Sequence, residues 1–419
     1  MATREELLAN MKWRILGMSD SPLGVTGFGT VTRDLFRRLN NIPNYEVTCI
    51  GWNQQTQPTK KVVFEDDTEI NFPTYPGGKA AYCTDRMPEY FNQFRPHAFF
   101  CLLDSFMLYQ SGWMGMNIPA KFVMYFPSDG GYFPKDCYKI LQKANFPIAM
   151  AKFGQEQVKR MHNIDVDYIP HAVDTNHYYP FSEEKKRETR RKWNLPEDAF
   201  IVGSVFRNQG RKMADRQMKI FAEFAKDKKN VYAFFNSDPN DPAAPTDLVD
   251  LSHRYNIAPL VRWSGMKAFH GLSAEQMKEV YNLMDVHILS TSGEGFGVPI
   301  IEAMSAGVPN LITDYTTTKE LVIDDIQVGE AIKLVGTEIS PYPAENNKIE
   351  GTIVGSWNVE RGICSIKDGV DKLNKLYYDE ALRKDYARNA RLKALKYYDW
   401  DSVVFPKMWK PFWKKVLES

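Results

Sequence analysis

The stretch Val286-His-Ile-Leu-Ser290, followed by Thr291-Ser-Gly-Glu294-Gly-Phe-Gly-Val-Pro-Ile-Ile-Glu302, decides the fold. A short apolar run that enters a glycine-rich turn, with helical spacing beyond it, reads as a buried strand, a tight loop and a helix. Open α/β sheets bind ligands at the carboxyl ends of their strands, so Glu294 and Glu302 stand where a ligand is expected. Gly295 and Gly297 would let backbone approach that ligand closely. Amides at the helix start, around Phe296 and Val298, would supply donors for a diphosphate. Two carboxylates flanking such a turn accept hydrogen bonds from hydroxyls, which suits sugars at both ends of the ligand.

Outward from this stretch the same unit recurs. Phe200 to Phe206, Asn230 to Asn236, Leu260 to Ser264 and Asn310 to Thr313 read as further strands separated by helical segments. In the first part of the chain, Trp13 to Met18, Tyr45 to Gly51, Ala98 to Leu103, Lys121 to Phe126 and Phe146 to Ala151 alternate in the same way. Such alternation implies βαβ units and parallel sheets. At 419 residues the chain exceeds what one core usually supports, so two Rossmann-like domains are expected. Proline and a change of pattern at Ile169-Pro-His-Ala-Val-Asp174 place the connector, giving an N-terminal domain over 1–172 and a second over 173–399. A helix at about 400–419 is expected to pack back on the first domain.

The run from Glu294 to Glu302, continued by Ala303-Met-Ser-Ala-Gly-Val-Pro309 and Glu320-Leu-Val322, resembles the E-x7-E signature of glycosyltransferase family 4. The resemblance implies the GT-B fold, two Rossmann-like domains facing across a cleft. It also implies a nucleotide sugar, UDP- or GDP-linked, as donor in a hexosyl transfer with retention of anomeric configuration, and no required cofactor or metal. It assigns Glu294 to the donor sugar and Glu302 to the ribose. Arg207 and Lys212, in Gly203-Ser-Val-Phe-Arg-Asn-Gln-Gly-Arg-Lys212, resemble the family's Arg and Lys that grip the donor diphosphate, with Arg211 read as an ordinary surface cation. Cations there would neutralise the charge that grows on the departing nucleoside diphosphate. The loop Gly24-Val-Thr-Gly27-Phe-Gly29 resembles the family's N-terminal glycine loop, which faces the donor phosphate, and the region of Met266 is where the base would lie.

Two features depart from the family. The histidine expected after a central N-terminal strand is missing. In its place stands Phe122-Val-Met-Tyr-Phe-Pro-Ser-Asp129-Gly-Gly, which makes Asp129 the candidate to contact the sugar or take the acceptor's proton. Asp104 is a second acceptor-side candidate. A long polar insertion, Gly336 to Gly362, replaces a usually short connection.

The bulk numbers exclude several classes. The 53 basic and 52 acidic side chains nearly cancel, so overall charge demands neither nucleic acid nor membrane. Hydrophobic residues at 43% and charged residues at 25% match a globular chain. Five scattered cysteines without a C-x-x-C pair suggest neither zinc nor a disulfide framework, and the seven histidines show no ligand spacing. The first eight residues lack the apolar core of a signal peptide, and a cytoplasmic setting is expected. Trp409, Phe412, Trp413, Lys414 and Lys415 form a candidate peripheral membrane contact, set against packing of a terminal helix on the body. The acceptor stays open among glycan, lipid, protein, small metabolite and modified nucleic acid. A protein that binds a nucleotide sugar without turnover shares every donor motif.

Overall fold

The computed structural model describes residues 11–63, 69–132, 137–241, 244–267, 271–342, 348–349, 352–353 and 357–419. The N-terminal segment read for a signal peptide and His270 lie outside them.

Seven parallel strands form the first sheet: β1 (Trp13–Ser19), β2 (Tyr45–Gly51), β3 (Thr74–Pro76), β4 (Ala98–Leu102), β5 (Lys121–Phe126), β6 (Phe146–Ala149) and β7 (Asp167–Tyr168). Their order across the sheet is β3-β2-β1-β4-β5-β6-β7. The second sheet has six strands: β8 (Phe200–Val205), β9 (Val231–Asn236), β10 (Val261–Trp263), β11 (Val286–Leu289), β12 (Asn310–Thr313) and β13 (Gly329–Ile332), in the order β10-β9-β8-β11-β12-β13. In both sheets the order reverses beside the first strand. The chain ends there diverge to opposite sides and leave a crevice at the carboxyl edge. The crevices fall between β1 and β4 in one domain and between β8 and β11 in the other. This is the GT-B architecture, with two Rossmann-like domains facing across a cleft. The strands β4, β8 and β11 are buried along their whole length, as parallel strands covered on both faces must be, which is why they read as unbroken apolar runs.

Strands β3, β7 and β13 were not expected; β3 and β13 pair at the sheet edges with β2 and β12, and the two residues of β7 pair with β6 inside the segment read as leading to the connector. Helix α1 (Gly27–Asn40) starts earlier than its apolar spacing suggests, because the Thr26 hydroxyl accepts from the Gly29 amide at 3.1 Å and caps it. The helical tail from Val370 to Tyr398 is broken at Asp379, whose side chain accepts from the Leu382 amide and starts a new helix. Of the insertion Gly336 to Gly362, residues 336–342 and 357–362 lie in an antiparallel ribbon of β14 (Leu334–Tyr342) and β15 (Trp357–Cys364).

The chain returns to the first domain beside the connector. Val173 donates its amide to the Tyr398 carbonyl at 2.8 Å, and Trp400 donates to Val173 at 3.2 Å. Beyond this point Trp400, Trp409, Phe412 and Trp413 are buried. Trp409 meets Tyr125 edge-on at 5.0 Å between ring centroids, Trp413 lies 6.1 Å from Phe100, and Phe412 lies 6.1 Å from Phe146. Lys121 caps the last helix by donating to the Val416 carbonyl at 2.9 Å. The aromatic residues of the candidate membrane contact are thus consumed by the core of the first domain. Lysines 407, 410, 414 and 415 and prolines 406 and 411 are exposed beside them. Among the described residues no helix is long and apolar enough to cross a membrane. Replacing Trp413 with Ala should lower the free energy of unfolding by about 3–5 kcal/mol, measured by chemical denaturation, because a fully buried indole leaves a cavity across the domain junction.

Candidate functional site

The two switch points supply the site. Glu294 follows β11, and Arg211 and Lys212 follow β8, so all three lie at the crevice of the second sheet. Glu294 is 5% exposed. Its Oε1 lies 2.5 Å from Lys212 Nζ, and its Oε2 lies 3.1 Å from Arg211 Nη1. The backbone fixes both partners: Arg211 gives its carbonyl to the Ser292 amide at 2.7 Å, and Glu294 donates its own amide to the Thr316 hydroxyl at 3.0 Å. Burial raises the Glu294 carboxyl, but Lys212 and Arg211 outweigh it and bring it down to about 2. Burial and Arg211 lower the Lys212 ammonium to about 8, against the pull of Glu294. The pair is therefore ionised at neutral pH.

Arg211 is not an ordinary surface cation. Its Nε also reaches Asp129 Oδ2 at 3.7 Å, so it bridges the acidic group of each domain. Arg207 stands apart from this cluster, about half exposed, with Nε 3.9 Å from Asp241 Oδ2. The order of cations along Arg207-Asn-Gln-Gly-Arg-Lys212 does not reveal which one turns inward; a single helical turn over Gly210–Lys212 does that.

The glycines have a different reason from the one their spacing suggests. A Cβ on Gly293 would lie 1.9 Å from the Asp129 carbonyl oxygen, and one on Gly295 would lie 2.5 Å from Pro127 Cβ. These positions are bare so that the first domain can close on the turn. Gly297 has φ +106° and caps helix α2 (Val298–Ser305), a backbone that side chains other than glycine rarely adopt. Phe296 is buried, 4.9 Å from His171 and 6.1 Å from Tyr398 between ring centroids, so its side chain belongs to the domain junction. Val298 is half-buried at the helix start. His171 shares a hydrogen bond of 2.8 Å with the Tyr125 hydroxyl, and burial lowers its pKa to about 3. It is a neutral residue of the hinge.

Glu302, one turn into α2, accepts from the Tyr281 hydroxyl at 2.5 Å. Burial raises its carboxyl to about 7, against hydrogen bonds from Tyr281 and Tyr178; Asp34 of α1 raises it further from across the cleft. Gly27 and Gly29 form the first turn of α1. A Cβ on Gly27 would enter open space, whereas one on Gly29 would press on the Ser21 carbonyl at 2.5 Å. Met266 is half-buried after β10, its amide donating to Ser264 Oγ at 3.3 Å.

On the first-domain side, Asp129 follows β5 and Asp104 follows β4. Burial and then Asp129 raise the Asp104 carboxyl to about 7. Sequence reading missed Arg361. It lies in the insertion ribbon, is 3% exposed, and places Nη1 3.3 Å from Asp129 Oδ1 and 2.6 Å from the Asp129 carbonyl oxygen. The length and polarity of the insertion were the only sequence signal.

Residues 185–333 match the family model described as glycosyl transferases group 1. The chain is similar to sucrose synthase 2 of Hordeum vulgare, 22% identical over 226 residues, which are 46% of this chain and 26% of that protein. It is also similar to mannosylfructose-phosphate synthase of Agrobacterium fabrum, 25% identical over 158 residues, covering 37% of this chain and 33% of that protein. These alignments thus span about a quarter to a third of the relatives' own length. Among solved structures, sucrose-phosphate synthase from Thermosynechococcus elongatus superposes with a TM-score of 0.72 at 14% identity, covering 97% of this chain and 100% of that one. Anabaena HepE in complex with UDP-glucose superposes with a TM-score of 0.69 at 14% identity, covering 96% and 99%. Residues 185–333 thus match a glycosyl transferases group 1 model, and the solved structures share the fold. The matched segment contains Arg211, Lys212, Glu294 and Glu302 and ends before the ribbon.

Two outcomes follow from this geometry. Gly293→Ala should drive the turn and the Asp129 loop apart, lowering the melting temperature and speeding amide exchange at residues 129–131, whereas the same change at the open Gly27 should not. Glu302 has a folded pKa above its unfolded value, so its neutral form contributes stability that is full below about pH 4.5 and is lost as pH rises through about 7. Glu302→Gln should therefore flatten the decline in melting temperature between pH 5 and 8, read by a thermal-shift series.

Proposed function

We propose that this chain transfers a hexose from a nucleoside diphosphate sugar to an acceptor, with retention of anomeric configuration. The observation that carries the reading is the pairing of Arg211 and Lys212 with Glu294 at the second domain's crevice, directly opposite Asp129 of the first. Two cations at a sheet switch point, one buried and one half-buried, suit a diphosphate, whose negative charge grows as the anomeric bond breaks. Helix-start amides at Val298 add donors on the same side. Glu302, held by Tyr281 and Tyr178, suits the ribose hydroxyls, and the half-buried Met266 lies where the base would rest. HepE, which shares the fold, has been solved in complex with UDP-glucose, and a donor of that class is in line with this reading.

In the reaction so read, the acceptor oxygen bonds to the anomeric carbon and the bond to the diphosphate breaks with its electron pair on the phosphate oxygen. The acceptor's proton ends on that oxygen or on Asp129. Glu294 lies beside the sugar and orients it, while Arg211 and Lys212 turn from their carboxylate partners toward the diphosphate.

The test is a thermal-shift panel of UDP-, GDP- and ADP-sugars on wild type, Lys212→Ala, Arg211→Ala, Arg207→Ala and Glu302→Ala. One base should raise the wild-type melting temperature, with little or no rise in Lys212→Ala, Arg211→Ala and Glu302→Ala. Arg207→Ala measures whether the exposed arginine joins the diphosphate site once donor is bound. Absence of a shift with every donor overturns the reading. Release of nucleoside diphosphate separates a transferase from a silent binder, and the product anomer, read by NMR, tests retention.

A further inference from the structure

The insertion ribbon lies against the first-domain loop that carries Asp129. Strand β15 touches both sides of the cleft within four residues. Gly362 donates its amide to the Ser292 carbonyl of the glycine-rich turn at 3.0 Å, and the Glu360 carbonyl accepts from the Gly131 amide at 3.2 Å. The loop is shaped to receive it. A Cβ on Gly130 would lie 2.2 Å from Val359 Cγ1 and 2.8 Å from the Glu360 carbonyl oxygen. The Tyr315 hydroxyl closes the seat by accepting from the Gly131 amide at 2.7 Å and donating to Glu360 at 3.0 Å. Between these contacts Arg361 grips Asp129 twice, at its carboxylate and at its carbonyl oxygen.

We infer that Arg361 is a positioning residue for the transfer reaction. The ribbon carries its guanidinium across the cleft to orient Asp129 toward the reacting sugar, so that the acceptor side of the site is completed by the second domain. The inference rests on the glycosyl-transfer reading of the cleft. A single guanidinium bound to both the side chain and the backbone of Asp129 removes the rotational freedom that a carboxylate followed by two glycines would otherwise keep. It also explains Asp129-Gly-Gly131 as a sequence: an acid to be held, and two bare residues on which the ribbon rests. The charged groups around the Asp129 loop include Arg211 and Lys212 from the turn after β8, Arg361 and Glu360 from the ribbon, Asp104 from the end of β4 with Asp20 beside it, Arg160, which donates to the Gly131 carbonyl at 3.4 Å, and Glu294 beyond Arg211.

The experiment compares wild type, Arg361→Lys, Arg361→Gln, Asp129→Asn and the Arg361→Gln/Asp129→Asn double variant. Hydrolytic release of nucleoside diphosphate from UDP-glucose and from GDP-mannose, with water taking the sugar in place of the acceptor, is followed across pH, together with amide exchange at residues 129–131. Arg361→Gln should lower kcat by about 10²-fold with little change in KM for the donor. The acidic limb of its pH profile should move upward, since a cation beside two carboxylates is lost. Arg361→Lys should recover part of kcat, and exchange at residue 131 should quicken in the Gln variant. In the Asp129→Asn background the Gln substitution should cost little more.

A wild-type pH profile and kcat in Arg361→Gln overturn the inference, as does an equal loss with or without Asp129, which would make Arg361 a mere strut of the ribbon. A rise in KM that accounts for the loss also overturns it, assigning Arg361 to the donor. If wild type releases no diphosphate from either sugar, the activity reading is what fails. Exchange then decides the positioning alone, and an unchanged rate at residue 131 in Arg361→Gln refutes it.

Discussion

The structure depends on a carboxylate that has to keep its charge out of water. Glu294 sits under a turn whose residues are pressed against the other domain. An ionised group so placed is costly unless cations and hydrogen bonds surround it. Lys212 and Arg211 meet that need from the neighbouring crevice strand. Arg211 has charge to spare and turns it to Asp129, and Asp129 in turn receives Arg361. The result is a chain of alternating charges from the second domain to the first and back through the ribbon. In it the cations of the second domain and the acid of the first hold each other in place.

This arrangement makes closure of the two domains and assembly of the site the same event. Gly293 and Gly295 admit Pro127 and Asp129, and Gly130 admits the ribbon. Farther out, Glu320 of the second domain accepts from the Lys152 amide at the start of a first-domain helix at 3.0 Å. The terminal helix contributes from the opposite side. It leaves the second domain beside Val173 and ends with its tryptophans inside the first, so the hinge is bounded by packed aromatic rings rather than by a free linker.

The ribbon illustrates how a connection between two regular parts of a fold can become part of the contact between domains. Its strands add no layer to either sheet. They add one arginine at the point where both domains meet.

What the sequence determined by itself was whatever depends on neighbours in the chain. Ten of the thirteen parallel strands and the turn from Glu294 to Glu302 were legible because a strand buried on both faces needs an unbroken apolar run and a tight turn needs glycine; β3, β7 and β13 were not read. Lys212 was legible through its place after β8. The pattern could not choose between Arg207 and Arg211, because both follow the same strand and only the local turn at Gly210 aims one of them inward. It could not separate a glycine bare for a ligand from one bare for another domain, since both lack a side chain for the same steric reason. The tail aromatics read first as a terminal helix packed on the body, with a membrane face as the alternative, and Phe100 and Tyr125 lie against them. Arg361 was invisible for the most general reason: it meets Asp129 across 232 positions of sequence, and only the tertiary fold brings an insertion and a distant loop to one point.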